Sequence, residues 1–450
     1  MLQCKKNIDS WFGKLTMSSD NTGHPEQRRR VSWLIFFSLI SLSFSKTSFA
    51  KPPEEKALTL SEAIGEVLAN NPDIQAAHFR SQAAHSRIQV EKALEDPSVG
   101  VMFDDVPITT SNLKRSEEID YRVEQKIPFP GKRHVKGKQA RFEAEAVSEI
   151  SSAKIRDVLL DLKKSYYALY RLARTADSLE ETRKVLKQYF GSAEIAYAAN
   201  RVTADVPLKA QVELTRIEND LLMLGQETKT HQAHLKALLN REHHEDIGLP
   251  KKMDWPKLKF SLEDIKEMAV HNRPELKELR AMSQRDRSSL TAAKQSLIPD
   301  FSFAFQYGQR PTSADTWTSS VMVNLPIFMR KNVARIHEAK ANFQATEAEQ
   351  KSMTIHTQHE IEEAYSAVQT SQELVASFEK GLLPQVQTTL RAAELAYASN
   401  KADFMTLLDA VRTDREVESQ YYNEQARLGV TFAELERLVG KDLEEIYEKK

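Results

Sequence analysis

Residues 127–133 read Ile-Pro-Phe-Pro-Gly-Lys-Arg, "IPFPGKR". Two prolines and a glycine end an alternating segment here, and from 138 to 190 the chain contains no further glycine or proline. Proline lacks the N–H that would continue a strand ladder, and it pushes the residue before it away from helical angles. Glycine permits a sharp change of backbone direction. The stretch therefore predicts a joint: Pro128, Pro130 and Gly131 turn the chain out of a strand, and Lys132 and Arg133 open a long helix. The G-x-x-x-x-G-K-[ST] frame of a phosphate loop is absent.

Upstream of the joint, Tyr121, Val123 and Gln125 alternate with Arg122, Glu124 and Lys126, and after Pro97 the residues Val99, Val101 and Phe103 alternate with Ser98, Gly100 and Met102. The same pattern returns later. Phe301, Phe303, Phe305 and Tyr307 alternate with Ser302, Ala304 and Gln306; Val321, Val323 and Leu325 alternate with Ser320, Met322 and Asn324. Pro326 then closes the segment in "LPIFMRK" (325–331). Period-two patterning predicts strands at about 97–106 and 118–128, and again at about 299–308 and 317–327, forming two hairpins with one apolar and one polar face.

This recurrence is part of a tandem duplication. At an offset of 202, Leu60 falls on Leu262, Pro72 on Pro274 and Pro97 on Pro299, and near the other end, at an offset of 200, "EIAYAANR" (194–201) meets "ELAYASNK" (394–401). The repeats run over about 51–250 and 251–450, and a repeat of this kind dictates the whole fold. In each, a long helical pair follows the joint, over about 132–241 and 331–440. The run 332–380 also lacks glycine and proline, so each first helix would span about 75–80 Å at 1.5 Å per residue. Ile155, Leu159, Leu162, Tyr166, Leu169, Ala173 and Ala176 recur at steps of four and three, which predicts a coiled-coil seam.

Residues 1–50 read as an N-terminal extension and secretory signal: Arg28, Arg29 and Arg30 precede an apolar run from Val31 to Phe44, and Ser48-Phe49-Ala50 supplies a small-x-small cleavage site. The run is shorter than the ~20 residues of a spanning helix. Beyond residue 50 the chain holds 56 basic and 61 acidic side chains, a formal charge of −5, which excludes the basic balance of a nucleic-acid binder. The one cysteine, Cys4, precedes the cleavage site, so the exported chain is expected to lack disulfides, thiolate chemistry and an N-terminal lipid anchor. With no 18-residue apolar stretch after residue 50, entry into a membrane would have to be by strands. Four strands cannot close a barrel, so several chains would have to share one: two would reach the minimum of about eight strands, three would give twelve and room for a channel.

Through "QKIPFPGKR" (125–133), "LPIF" (325–328), "GLLPQVQTTLRAAELAY" (381–397) and "DFMTLLDAVR" (403–412), the sequence resembles the TolC family of outer-membrane efflux channels, in its CzcC- and CusC-like branch serving heavy-metal cation exporters. The resemblance covers all of 51–450. It implies a mixed α/β membrane protein, a homotrimer whose twelve-stranded transmembrane β-barrel continues into a long coiled-coil α-helical periplasmic barrel. It further implies location in the outer membrane of a Gram-negative bacterium, and partnership with a periplasmic adaptor (a membrane fusion protein) and an RND-type inner-membrane pump. The joint at Pro128–Arg133, with its counterpart at Pro326, would then be the seam of barrel and tunnel, with Lys132 and Arg133 at the level of the lipid head groups.

The same resemblance implies roles at the tunnel tip. Asp409 matches an acidic position lining the periplasmic aperture, Thr406 stands where the family carries a second acid, and Asp205 matches a tip aspartate used between neighbouring helices. From the residues alone, Asp205 is equally readable as a helix N-cap. His231/His234 and His356/His359 sit at i, i+3, and His243-His244 precede two acids, but none of these has three ligands at metal-site spacing, so solvated helix faces are expected. No catalytic motif or cofactor loop is present, and an enzyme is not expected. The alternative is a periplasmic coiled-coil adaptor or structural protein without a pore, against which the two amphipathic hairpins argue.

Overall fold

The computed structural model describes residues 59–443, except 105, 107–112, 114–115, 117, 243–246, 251–252, 254 and 311–312. The signal segment, Cys4 and His243-His244 lie outside the described residues. The order of elements is α1 (Leu60–Asn70), α2 (Pro72–Lys92), β1 (Ser98–Asp104), β2 (Glu118–Ile127), α3 (Lys132–Ala198), α4 (Asp205–Leu239), α5 (Leu262–Asn272), α6 (Pro274–Gln295), β3 (Asp300–Gln309), β4 (Thr316–Asn324), α7 (Met329–Ser377), a π-helical turn (Phe378–Leu382), α8 (Leu383–Ala398) and α9 (Phe404–Val439).

The repeats start alike because the same chemistry starts them. Thr59 and Glu62 form a capping box on α1, and Ser261 and Asp264 form its counterpart on α5. Pro72 and Pro274 then occupy the first turns of α2 and α6, where a missing N–H costs nothing. At the N-cap of α2, the Asn71 side chain accepts from Asp73 and Ile74 N–H and donates to the Leu238 carbonyl at 2.8 Å. The equivalent Arg273 instead donates to Glu275, Thr357 and Glu360, almost fully buried.

The two hairpins form one antiparallel sheet in the order β1-β2-β3-β4, joined across the repeats by β2–β3. Tyr121 pairs with Val101 and Tyr307, and Val123 with Val99 and Phe305, so the period-two pattern of every strand falls on a common face. That face is apolar and open: Val99 is 75% exposed, Trp317 70% and Phe305 51%. Arg122, Glu124, Ser302, Ala304 and Ser320 occupy the other face. The outer edges of β1 and β4 pair with no strand among the described residues. β1 and β4 are shorter than their patterns predict. β4 stops at Asn324 rather than near 327, because Ile327 N–H turns back to the Leu325 carbonyl (2.9 Å) around the donorless Pro326.

α3, at 67 residues, extends roughly 100 Å. Leu162, Tyr166 and Leu169 are buried as the predicted seam requires, but lower down the buried positions shift to Leu172, Thr175 and Leu179, leaving Ala173 and Ala176 half-buried. α3 packs against α2, α4, α6 and α9, and a helix buried on several sides has no single seam. Its counterpart in the second repeat is divided. Between Pro128 and Tyr197 lie 69 steps of chain, but 71 between Pro326 and Tyr397, and the π-helical turn ahead of Pro384 helps absorb the excess. Each repeat has its own core: Val158, Leu162, Leu169, Leu235 and Leu239 in the first, and Ile361, Val368, Leu428, Phe432 and Leu435 in the second. A third cluster, with Leu186, Leu214, Ile217, Phe404 and Leu408, combines residues of both near the tip. Among the described residues no helix is long and apolar enough to cross a membrane.

Candidate functional sites: the joint and the helical tip

At the joint, Gly131 takes φ +99°, a left-handed conformation that opens α3 without a side-chain cap. Pro128 and Pro130 flank Phe129, whose N–H donates to Asp300 Oδ1 at 2.8 Å. Lys132 Nζ donates to the same oxygen at 2.8 Å and to the Ile298 carbonyl at 2.6 Å. The Arg133 guanidinium caps α2 by donating to the Lys92 carbonyl, 2.9 Å from Nε. Both cations thus have partners within the chain. Lys132 is 15% exposed and locks β2–α3 to β3, while Arg133 locks α3 to α2. Among the described residues the second joint, around Pro326, has no such lock. Leu325, Ile327, Phe328 and Met329 are all more than half exposed, giving an apolar collar at the end of the sheet.

The tip turns are built alike. Asn200 and Asn400 adopt φ 57° and 55°, and the N–H groups of Arg201 and Lys401 reach back to the carbonyls of Ala196 and Ala396 at 2.9 and 2.8 Å. This is a Schellman ending, which asparagine tolerates. The returning helices start differently. Asp403 is the N-cap of α9, accepting from Thr406 N–H at 2.9 Å and Thr406 Oγ1 at 2.6 Å, and these bonds hold its carboxyl below the usual range. The Thr406 hydroxyl is thus engaged in capping.

Asp205 is the first residue of α4, while Ala204 holds the cap position, so the N-cap reading of Asp205 does not hold. It accepts from Thr203 and from Lys209 Nζ (2.9 Å), and these bonds depress its pKa. Asp409 stands apart. It lies on an exposed stripe of α9 with Thr406, Thr413, Glu416 and Gln420, and its carboxylate has no partner among the described residues.

Two acidic groups near the tip escape the sequence reading. Glu213 of α4, 2% exposed, is enclosed by arginines: Arg412 donates to Oε2 from Nε (3.0 Å) and Nη2 (2.6 Å), Arg415 Nη1 lies 3.2 Å from Oε1, and Arg216 Nη1 3.5 Å from Oε2. Beside it, between α4 and α9, lies a groove of about 660 Å³ whose walls include Arg216, Arg412, Arg415 and Asp220. Asp414, on another side of α9, has its pKa pushed up to about 6 by burial and by Glu418 and Glu394. The arginines at 412 and 415, on a helix whose periodic positions are apolar, were the available signal for the first.

The histidine pairs behave as solvated or structural groups. His234 Nδ1 bonds Ser165 Oγ at 2.7 Å, His231 stands 3.9 Å from Glu227, and His356 and His359 are exposed on α7. Among the described residues no three His, Cys, Asp or Glu side chains converge as a metal site.

The model of the outer membrane efflux protein family matches residues 63–241 and 266–441, one segment in each repeat. The chain belongs to the outer membrane efflux protein family. Membership makes it a component of an efflux channel rather than an enzyme. Among its relatives is the probable outer membrane lipoprotein SilC of Salmonella typhimurium, 23% identical over 413 residues that cover 83% of this chain and 82% of SilC. The fold is that of TolC-like channels. CusC, solved in a study of conformational changes accompanying folding and transmembrane channel formation, superposes with a TM-score of 0.71 at 15% identity, over 85% of this chain and 92% of that one. The MtrE outer membrane channel of Neisseria gonorrhoeae, in its open state, gives a TM-score of 0.73 at 17% identity, over 85% and 89%.

Proposed function

We propose that three copies of this chain close a twelve-stranded transmembrane barrel, continuous with a hollow α-helical cylinder in the periplasm, and that the trimer passively conducts substrates outward from an RND-type inner-membrane pump and a periplasmic adaptor. One observation carries the reading. The four-stranded sheet presents an exposed apolar face, a polar opposite face and two edges unpaired among the described residues. Unpaired edges are not tolerated in lipid, so the sheet must continue into other chains, and three chains are the smallest number that leaves a lumen of useful width. The helices that leave the sheet at Lys132 and Met329 would then form the cylinder, with Asp409 of each chain near its axis at the far end. A pore-free adaptor gives no reason for the apolar sheet face.

The cargo proposed is heavy-metal cations, following the branch that the sequence resembles. The resemblance to SilC and CusC supports the branch, and the acidic Asp409 suits cationic cargo. Deleting the gene should raise cellular accumulation of at least one of copper, silver, zinc, cobalt or cadmium, with accumulation restored by the intact gene. Unchanged accumulation of all five would remove the cargo assignment. Failure of the purified chain to conduct ions in planar bilayers would remove the channel itself.

A further inference from the structure

At the end of the sheet away from the helices, one row of the polar face runs across all four strands: Met102, Asp120, Gly308 and Thr316. Glycine leaves a gap in this row, and neighbouring oxygens lean into it. A Cβ placed on Gly308 would stand 2.8 Å from Asp120 Oδ1 and 2.9 Å from Thr316 Oγ1, with Glu118 Oε1 closer still. Asp120 is 3% exposed, and its Oδ1 finds no hydrogen-bond partner among the described residues. The other oxygen of Glu118, Oε2, accepts from Arg310 Nη2 at 2.9 Å. Two carboxylate oxygens and a hydroxyl thus surround one point, and the nearby Arg310 bonds Glu118 but leaves Asp120 Oδ1 unpaired among the described residues, a costly arrangement for a buried acid unless a further cation completes it.

We propose that the gap over Gly308 binds a hard divalent cation of calcium type, held by Glu118, Asp120 and Thr316. Calcium takes six to eight oxygen ligands at about 2.3–2.6 Å in flexible geometry, so three side chains of β2 and β4 with water filling the remainder make a workable set. The donors are all oxygen, which suits calcium and not the soft cations that thiolates or thioethers select, so the ion here is distinct from the cargo. Two carboxylates, one already shared with Arg310, give weak affinity, with a Kd on the order of 10⁻⁴–10⁻³ M as in extracellular calcium modules. Bound there, the ion braces β2, β3 and β4 where the sheet has no helix behind it. Its position at the outer mouth of the channel rests on the barrel reading above; the binding itself does not.

The test is calorimetric titration of calcium into the purified full-length chain in detergent after chelator treatment. The parent should show a saturable site, one per chain. Asp120→Asn should weaken it at least tenfold, Gly308→Ala should abolish it by filling the gap, and Thr316→Val should weaken it several-fold. Magnesium, which demands a tighter octahedron, should bind several-fold more weakly. Absence of saturable binding in the parent overturns the site, as does equal binding by the parent and Asp120→Asn, because calcium held at other acids would survive that change. Equal affinity for magnesium and calcium overturns the calcium-type assignment. Asp120→Asn is close to isosteric, and far-UV circular dichroism checks that it folds; should Gly308→Ala misfold, Asp120→Asn and Thr316→Val decide alone. A conducting channel that binds no calcium would remove this site and leave the channel reading intact.

Discussion

Replacing Glu213 with alanine leaves Arg412 and Arg415, neighbours on α9, together with Arg216 of α4 around an emptied site. Removing one member of a fully buried ion pair costs about 3–5 kcal/mol, mostly the penalty of the charge left behind. Here the stranded arginines are not fully buried: Arg412 is 36% exposed, Arg415 22% and Arg216 62%. Partial escape to water reduces the cost to about 2–3 kcal/mol. Glu213→Gln keeps an acceptor for Arg412 and should cost about half as much. The loss should be local to the tip, where this glutamate joins α4 to α9 beside the apolar cluster of Leu214, Ile217, Phe404 and Leu408. Guanidinium unfolding of the purified protein, followed by circular dichroism, measures the energy. A double-mutant cycle with Arg412→Ala isolates the pair and should give a coupling of about 1–2 kcal/mol. In planar bilayers Glu213→Ala should also show larger or more frequent openings. Stability within 0.5 kcal/mol of the parent, together with strict additivity in the cycle, would refute the bridging role of Glu213.

Asp409→Ala should lower cation selectivity and block by multivalent cations in planar bilayers while leaving stability nearly unchanged; identical conductance, selectivity and block would return Asp409 to an ordinary surface charge. Phe303→Arg, on the apolar sheet face, should cost about 2–4 kcal/mol and impair assembly, whereas Ser302→Arg, on the polar face, should be tolerated; equal yields of assembled protein would overturn the facing of the sheet. Glu436, buried beside Lys163 (2.5 Å), has its pKa raised to about 7 because burial outweighs the lysine. A raised folded-state pKa gives a contribution fully present below about pH 4.5 and lost as pH rises through 7, so the parent should lose about 2–3 kcal/mol over that window relative to Glu436→Gln. Parallel stability profiles of parent and variant from pH 4 to 8 would contradict this.

The strands and the joint were legible because their signals are local. Period-two alternation needs only neighbours along the chain, and proline ends a ladder whatever surrounds it. What was not legible depends on partners distant in sequence. That Lys132 meets Asp300, and Arg133 the Lys92 carbonyl, appears only once the chain has folded. Glu213 reads as one more solvated charge on a coiled coil, since nothing in its own helix indicates that Arg412 and Arg415 will surround it. Ala173 and Ala176 fit a two-helix seam, but α3 serves several partners and the seam does not hold along its length. Gly308 reads as a weak point in a strand; its use appears only when β2 and β4 place oxygens around it.

If three chains build the channel, their sheets pair edge to edge and close after three. With Cys4 replaced, single cysteines at exposed positions on the two edge strands, such as Val101 on β1 and Val321 on β4, can be joined in isolated outer membranes by a short bis-maleimide. A closed ring of three gives a ladder of monomer, dimer and trimer that ends at trimer, obtained only when both edges carry a cysteine. Monomers alone, a ladder continuing past trimer, or recovery of the protein in the soluble periplasm would contradict it.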